Sequence, residues 1–502
     1  MNRFPRSIAP AAALILALLP NGVSAAPEPL QAQVQALLAA AGPGPRYGLV
    51  VAGEDGREVV AIDPDGRYIP ASNTKMFTTA AAFANLAVDA PDTAGGAAVR
   101  LEPAAHGAPD VVLVGNGDAR LSGKPDCVSD CLAALADAVA AKTRKVRDVI
   151  GDDTRFPDQR WSPGMSWNNI PTKSGTATSA LTLDDNEAAL VVTPGAVGAA
   201  PTLAGLTYYS VDNRAVTGAA GSAMTLDFDR EPNGYVLHLS GAIPAGAAPE
   251  TLALGIDDPA RYAAWRLLAM LEARGVKVGG TVKVRHRLLA PAGAACGEVV
   301  PLPPAAPACA GRQTSVPVPV PLPALARLNP APLAADLTLI NKVSQNLHAE
   351  LMLRRLGALN GSGSIADGQV LVAAMLARAG VPRAAYDFSD GSGMSSYNRV
   401  APRGVVTLLR WIALQPWGAA WAATLPIGAV DGSLAHRFAG TVLAGRIFAK
   451  TGTLNASSAL AGYLIGRSGR RLTFASYAGD IPEGVPARGA VDAALVLIAE
   501  AN

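Results

Sequence analysis

Ser72 and Lys75 stand three residues apart in Ser72-Asn73-Thr74-Lys75, a spacing that puts a hydroxyl and an amine on one face of a helix. No other lysine of the chain has a serine three residues before it. A serine hydroxyl is a poor nucleophile until a neighbouring base takes its proton, and a lysine can be that base when burial or a second cation keeps it neutral. Alone, the pattern fits a capped helix start with a solvated lysine better than a reactive pair.

Two further triplets supply what the pair lacks. Ser344-Gln345-Asn346 lies between helix-like segments far downstream, and Lys450-Thr451-Gly452 lies on a strand-like run towards the C-terminal end. Ser344 can relay a proton between Lys75 and a leaving amine, and Asn346 can hold both Lys75 and a substrate amide. Lys450 adds positive charge that tunes the hydroxyls and attracts a terminal carboxylate, which Thr451 can also hydrogen-bond. Gly452 leaves room for a peptide along the strand edge, and the backbone N–H groups of Ser72 and Thr453 are expected to form an oxyanion hole. Ser166-Trp167-Asn168 and Lys173-Ser174-Gly175 imitate the second and third triplets. They sit close together inside a β-like insertion and are set aside as chance matches. The expected catalytic set is Ser72, Lys75, Ser344, Asn346 and Lys450, with Thr451, Gly452 and Thr453 binding substrate and no metal or organic cofactor implied.

The elements that must position these residues follow from pattern. Residues 47–51 and 58–62 are strand-like and flank the turn-rich 53–56, which predicts a hairpin. A helix follows, marked by Pro70 and Ser72 at its start and an Ala-rich stretch through 78–86. From about residue 99 to 323 short β-like segments alternate with Gly, Pro and Asp, with one helix at 259–274 and a closing Pro-rich run at 316–323. Helices resume at 334 and run to about 423, strands return at 446–448, 459–464 and 472–477, and a terminal helix ends the chain. The expected class is α/β: a catalytic domain whose sheet is built from both chain ends and covered by helices, interrupted by a β-rich insertion. The expected boundaries are 26–95 and 325–502 for the catalytic domain and 96–324 for the insertion.

Composition limits the remaining choices. Half of the 502 residues are hydrophobic and 16% are charged, enough apolar material for more than one domain. With 42 basic and 40 acidic residues the net charge is +2, so nothing in the balance suggests nucleic acid or an anionic membrane surface as partner. Arg3 and Arg6, an apolar run at 11–19 and Val23-Ser24-Ala25 read as an export signal over residues 1–25, which predicts a periplasmic protein with at most peripheral membrane contact. Cysteines fall into two local pairs, Cys127 with Cys131 and Cys296 with Cys309. Local disulfides suit an oxidising compartment, although four cysteines permit three connectivities. Neither pair has histidines at zinc-ligand spacing, and the five histidines are without a Gly-x-Ser-x-Gly nucleophile elbow, which argues against a Ser-His-Asp hydrolase. His348 follows Asn346 closely but reads as a structural or surface residue, and Asp390 and Ser392 read as turn formers.

S-x-x-K, S-x-N and K-T-G together are the set found in serine β-lactamases and penicillin-binding proteins. Here the flanks narrow the resemblance. The long gap from Ser72 to Ser344, together with Gly151-Asp152-Asp153-Thr154-Arg155-Phe156, Asp390-Gly391-Ser392-Gly393-Met394-Ser395 and Leu425-Pro426-Ile427 with Val430-Asp431-Gly432-Ser433-Leu434, resembles the low-molecular-mass, class C penicillin-binding proteins. That resemblance implies a transpeptidase-like domain carrying the three motifs and two smaller β-rich domains nested in the insertion. It implies D-alanyl-D-alanine carboxypeptidase or endopeptidase activity on peptidoglycan stem peptides and cross-links, with β-lactams as covalent inhibitors. The chain departs from the family at the grip on the diamino-acid side chain: Met165, Asn168 and Ser396 stand where members resemble Trp, Asp and Arg. Losing a carboxylate and a guanidinium removes charge-assisted contacts to a zwitterionic group. Two alternatives keep the same fold: a β-lactamase or esterase, which clears its acyl-enzyme quickly, and an inactive protein that only binds peptidoglycan.

Overall fold

The structure, a computed structural model, describes residues 29–104, 107–205, 207–289 and 323–502. The expected export signal, the Cys296 and Cys309 pairing and the Pro-rich run as far as residue 322 lie outside these residues.

Strands β1 (Arg46–Gly53) and β2 (Glu58–Ile62) form the expected hairpin, with a bulge between Val51 and Ala52. β1 then pairs along its whole length with a strand from the other end of the chain. That end supplies β3 (Ile447–Leu454), β4 (Ser457–Ile465) and β5 (Arg471–Gly479), giving one antiparallel sheet in the order β2-β1-β5-β4-β3. Alternation along each strand gives the sheet two apolar faces. Leu49, Val51, Leu460, Leu472 and Phe474 pack on one side against Val34 and Leu38 of α1 (Leu30–Ala39) and against Leu495 and Ile498 of the C-terminal helix, Ala487–Ala501. Val50, Ala459, Ala461, Ala475 and Tyr477 face the opposite side and the main helical core.

At the centre of that core lies α2 (Thr74–Asn85), every residue of which from Thr74 to Phe83 is buried. An all-buried helix needs small or apolar residues round its whole circumference, which the Ala-rich sequence provides. The regular helix begins at Thr74, and Ser72 belongs to a preceding 3-10 turn, Ala71–Asn73. The two residues of the first motif therefore meet across a change of helical pitch and not within one α-helix.

Between α2 and the later helices the chain builds two further buried clusters. In the first, strands Ala98–Glu102, Asp110–Val114, Val149–Pro157, Val282–Arg287 and Ala326–Arg327 make a mixed sheet covered by α3 (Leu132–Lys142) and α4 (Pro259–Ala273). α4 answers the expected helix at 259–274, with Pro259 in its first turn and Asp258 capping it by accepting from the Arg261 N–H. α3 corrects the mostly-β reading of this stretch: Leu132, Leu135, Ala136 and Val139 are buried at helical spacing. The Cys127–Cys131 disulfide closes the loop just before it. The second cluster is all-β, with Leu190, Val192, Leu237, Leu239, Ile243 and Leu254 at its centre.

Five helices then complete the core: α5 (Leu333–Lys342), α6 (Asn346–Asn360), α7 (Ile365–Arg378), α8 (Pro402–Ala413) and the short α9 (Gly418–Ala423), which buries Trp421. α8 carries Val405, Val406, Leu408, Leu409 and Ile412 on its buried face and packs on β1 and β5.

Candidate active site

Lys75 is fully buried, and its Nζ donates to three oxygens: Ser72 Oγ at 2.9 Å, Asn346 Oδ1 at 2.6 Å and the Ser392 carbonyl at 2.6 Å. Three acceptors fix the amine in position beside the Ser72 hydroxyl. Asn346 is the first residue of α6, and the α5–α6 turn that delivers it holds Ser344 at φ 64°. A non-glycine residue in that left-handed region costs about 1–3 kcal/mol, a strain typical of side chains aimed at a site.

Lys450 is also fully buried, and its Nζ donates to Ser344 Oγ at 2.9 Å and to the Thr451 carbonyl at 3.1 Å. Ser344 is thus bonded to Lys450, whereas the sequence pairs it functionally with Lys75. The Thr451 hydroxyl lies 2.7 Å from Ser433 Oγ. β3 is an edge strand whose outer side at Ile447–Ala449 is already bridged by the 426–428 segment, with the Ala449 N–H donating to the Pro426 carbonyl at 3.0 Å, so only the part of the strand beyond that bridge offers an edge to an extended peptide. Asn73 ties strand to helix: its Nδ2 donates to the Lys450 carbonyl at 2.7 Å and its Oδ1 accepts from Tyr477 Oη at 3.1 Å.

Gly452 also has a packing reason. A Cβ there would lie 2.5 Å from the Pro70 carbonyl oxygen, 3.0 Å from Ala459 Cβ and 3.2 Å from the Asn73 nitrogen, so its missing side chain makes room for the turn that carries Ser72. Its φ is not in the left-handed region. Gly452→Ala should therefore cost about 1–3 kcal/mol through overpacking alone, read as a lower denaturant midpoint with an unchanged slope.

Burial drives the Lys75 amine down to about 7, opposed by the nearby carboxylates of Asp390 and Glu350. Lys450 is driven the same way, first by burial and then by the Lys75 charge. Each ammonium thus disfavours the other. Glu350 and Asp390 escaped the sequence reading as site residues. Glu350 Oε1 accepts from the Gly391 and Ser392 N–H groups at 3.0 and 2.9 Å, which fixes the Ser392 carbonyl that receives Lys75. It lies one helical turn after Asn346, a spacing that points both side chains the same way. Asp390 forms turns, as expected, by accepting from Gly393 N and Ser395 N; it is also buried beside Glu350, and burial followed by that second carboxylate raises it to about 6.

The segment set aside as a chance match also needs correction. Asn346 Nδ2 donates to the Ser174 carbonyl at 3.0 Å, so Lys173–Gly175 abuts the site through its backbone. Ser166-Trp167-Asn168 lies nearby: Met165 bridges Ser395, and Ser396 Oγ donates to the Gly164 carbonyl at 2.9 Å. Met165 and Ser396, two of the three positions that depart from the family pattern, therefore come together. His348 is 3% exposed, with Nε2 2.9 Å from Asp185 and Nδ1 3.5 Å from Asp336. Burial opposes its charge, but the two carboxylates outweigh burial and raise it to about 9. Among the described residues no cluster of His, Cys, Asp or Glu is arranged to hold a metal ion.

The D-Ala-D-Ala carboxypeptidase 3 (S13) family matches this chain over residues 30–296 and 313–501. A D-alanyl-D-alanine carboxypeptidase of Actinomadura sp. (strain R39) is 34% identical over 444 residues, which span 84% of this chain and 75% of that protein. The penicillin-sensitive carboxypeptidase A of Dictyostelium discoideum is 22% identical over 430 residues, 79% of this chain and 74% of that one. Among solved structures, penicillin binding protein 4 of Haemophilus influenzae has a TM-score of 0.73 at 20% identity, covering 90% of this chain and 94% of that chain, a likeness of fold.

Proposed function

We propose a reaction for this site from one premise: the chain belongs to the D-Ala-D-Ala carboxypeptidase 3 (S13) family and is a serine-type peptidase. It is a penicillin-binding protein that acts on peptidoglycan. Ser72 Oγ attacks the carbonyl carbon between two terminal D-alanines and gives its proton to Lys75 Nζ. The backbone N–H groups of Ser72 and Thr453 stabilise the oxyanion. Asn346 holds the substrate amide. The C–N bond then breaks, the departing amine takes through Ser344 the proton that Lys75 received, and an ester to Ser72 remains. Water attacks that ester, loses its proton to Lys75 and releases the shortened peptide while Ser72 regains its hydrogen. Thr451, Gly452 and Thr453 lie along the substrate chain.

Lys450 binds the terminal carboxylate. Because the two ammonium groups disfavour each other, a bound carboxylate beside Lys450 draws the positive charge there and leaves Lys75 as free amine, the form that acts as base. The observation that carries the proposal is the 2.9 Å contact between a fully buried Lys75 Nζ and Ser72 Oγ. β-Lactams present a similar carbonyl and carboxylate and acylate the same oxygen.

Product analysis on intact muropeptides tests the reading: D-alanine release marks the carboxypeptidase, and conversion of dimers to monomers marks the endopeptidase. Labelled penicillin should leave a lasting adduct on the Ser72 peptide. Rapid repeated turnover of penicillin would instead make the protein a β-lactamase, and no D-alanine with no adduct would leave only a binding role. A pH series adds a second check. A lysine lowered to about 7 is ammonium below that pH and has no lone pair to accept a proton, so the second-order acylation rate should rise with pH through about 7 and level off above it. A rate flat from pH 5 to 9 would remove Lys75 as the base. Peptidoglycan lies outside the cytoplasm, which fits an exported, periplasmic protein; among the described residues no helix is long and apolar enough to cross a membrane.

A further inference from the structure

A cavity of about 280 Å³ opens in the insertion, walled by residues that take no part in the chemistry above. Its floor is aromatic. Tyr208 lies 5.1 Å from Tyr262 and 5.3 Å from Trp265, centroid to centroid, and the Tyr262 and Trp265 rings stack at 5.8 Å. Its rim is charged, with Lys124 and Arg266 against Glu187 and the Asp184-Asp185 turn. Arg266 spends one nitrogen on the Gly123 carbonyl, while its Nε is buried without a hydrogen-bond partner. A buried donor left unpaired costs about 1–3 kcal/mol, so the packing around the cavity wall holds Arg266 in place against that cost.

Strain marks the same wall. Asp184, Asp185 and Asn186 have φ of 49, 57 and 52°, three consecutive residues in the left-handed region. Each costs about 1–2 kcal/mol, so the surroundings must impose the turn. Asn186 is fully buried and bonds the Leu183 N–H and the Ala177 carbonyl, and Asp184 accepts from Ser122 Oγ. The turn presents Asp185 to His348 on α6, the helix whose first residue is Asn346. Cavity and catalytic helix are thereby fastened together.

We propose that this cavity is a saccharide subsite that takes an amino-sugar ring of the glycan strand while the attached stem peptide occupies the Ser72 cleft. A sugar ring offers an apolar C–H face for the aromatic floor and an edge of hydroxyl and amide groups for mixed carboxylate and guanidinium partners. Purely apolar ligands would leave the rim charges desolvated, and the three rim carboxylates disfavour a polyanion. The proposal rests on the peptidoglycan reading above.

The test compares D-alanine release from a disaccharide-linked pentapeptide with release from the free pentapeptide. Two variants leave the aromatic floor intact: Ala189→Trp, an exposed cavity residue whose new ring fills the space, and Arg266→Gln. The intact protein should favour the disaccharide-linked substrate in KM by about tenfold, or about 1.4 kcal/mol. Both variants should erase that preference and leave free-pentapeptide turnover and penicillin acylation unchanged. Equal KM for the two substrates in the unaltered protein, or a preference surviving both substitutions, overturns the subsite. Variants that weaken both substrates alike would assign the cavity to peptide. Should neither substrate yield D-alanine, the catalytic reading fails by itself, and calorimetric titration with the peptide-free disaccharide still decides: heat that disappears in Ala189→Trp supports the subsite, and no heat removes it.

Discussion

Ser72→Ala is expected to end D-alanine release and to prevent any lasting penicillin adduct, a loss on the order of 10⁶-fold in kcat, since a nucleophile cannot be replaced by positioning alone. The substitution removes one oxygen from a half-buried turn and leaves Lys75 its bonds to Asn346 and the Ser392 carbonyl. Stability should therefore change little, and the denaturant midpoint measured beside activity separates lost chemistry from lost fold. Adduct formation persisting at another residue would sink the assignment.

The second large effect belongs to Lys75→Met, which keeps the length of the side chain and removes the amine. Acylation should fall by about 10²- to 10⁴-fold, the usual worth of a positioned general base. The pH dependence should change with it. Once the Lys75 charge is gone, one of the two causes that lower Lys450 is gone, and the rise through about pH 7 should vanish. A variant that is slow yet keeps the same inflection would show that another group takes the proton. Stopped-flow acylation with a chromogenic β-lactam across pH 5 to 9 reads both outcomes.

Much of the catalytic sheet was legible because its strands alternate cleanly and its helices carry plain apolar stripes. The hairpin at the N-terminal end, α4 and the three late strands all lie close to where periodicity put them. α3 was missed because its short Ala-rich run follows a turn-rich, cysteine-closed loop, although Leu132, Leu135 and Val139 carried the helical spacing. The paired motifs were readable as residue types, but their connections were not. That Ser344 bonds Lys450, that Glu350 and Asp390 sit beneath Lys75, and that Lys173–Gly175 touches Asn346 depend on contacts between segments distant in sequence. Sequence spacing predicts which groups share an element, and only packing decides which elements share a site. Gly452 makes the same point, since its missing side chain makes room for the chain's own turn, a contact that spacing does not reveal.

Tyr477 reaches back across 404 residues to bond Asn73, and the strand that bears it pairs with β1 along that strand's full length. During synthesis the first hairpin and α2 emerge long before their sheet partners exist, and loop closure over such a distance is slow. A ribosome-bound chain can fold the inserted segments as local units while Ser72 still lacks its surroundings. The site is therefore completed last, with the final strands, so a partly synthesised chain is held inert by its own connectivity.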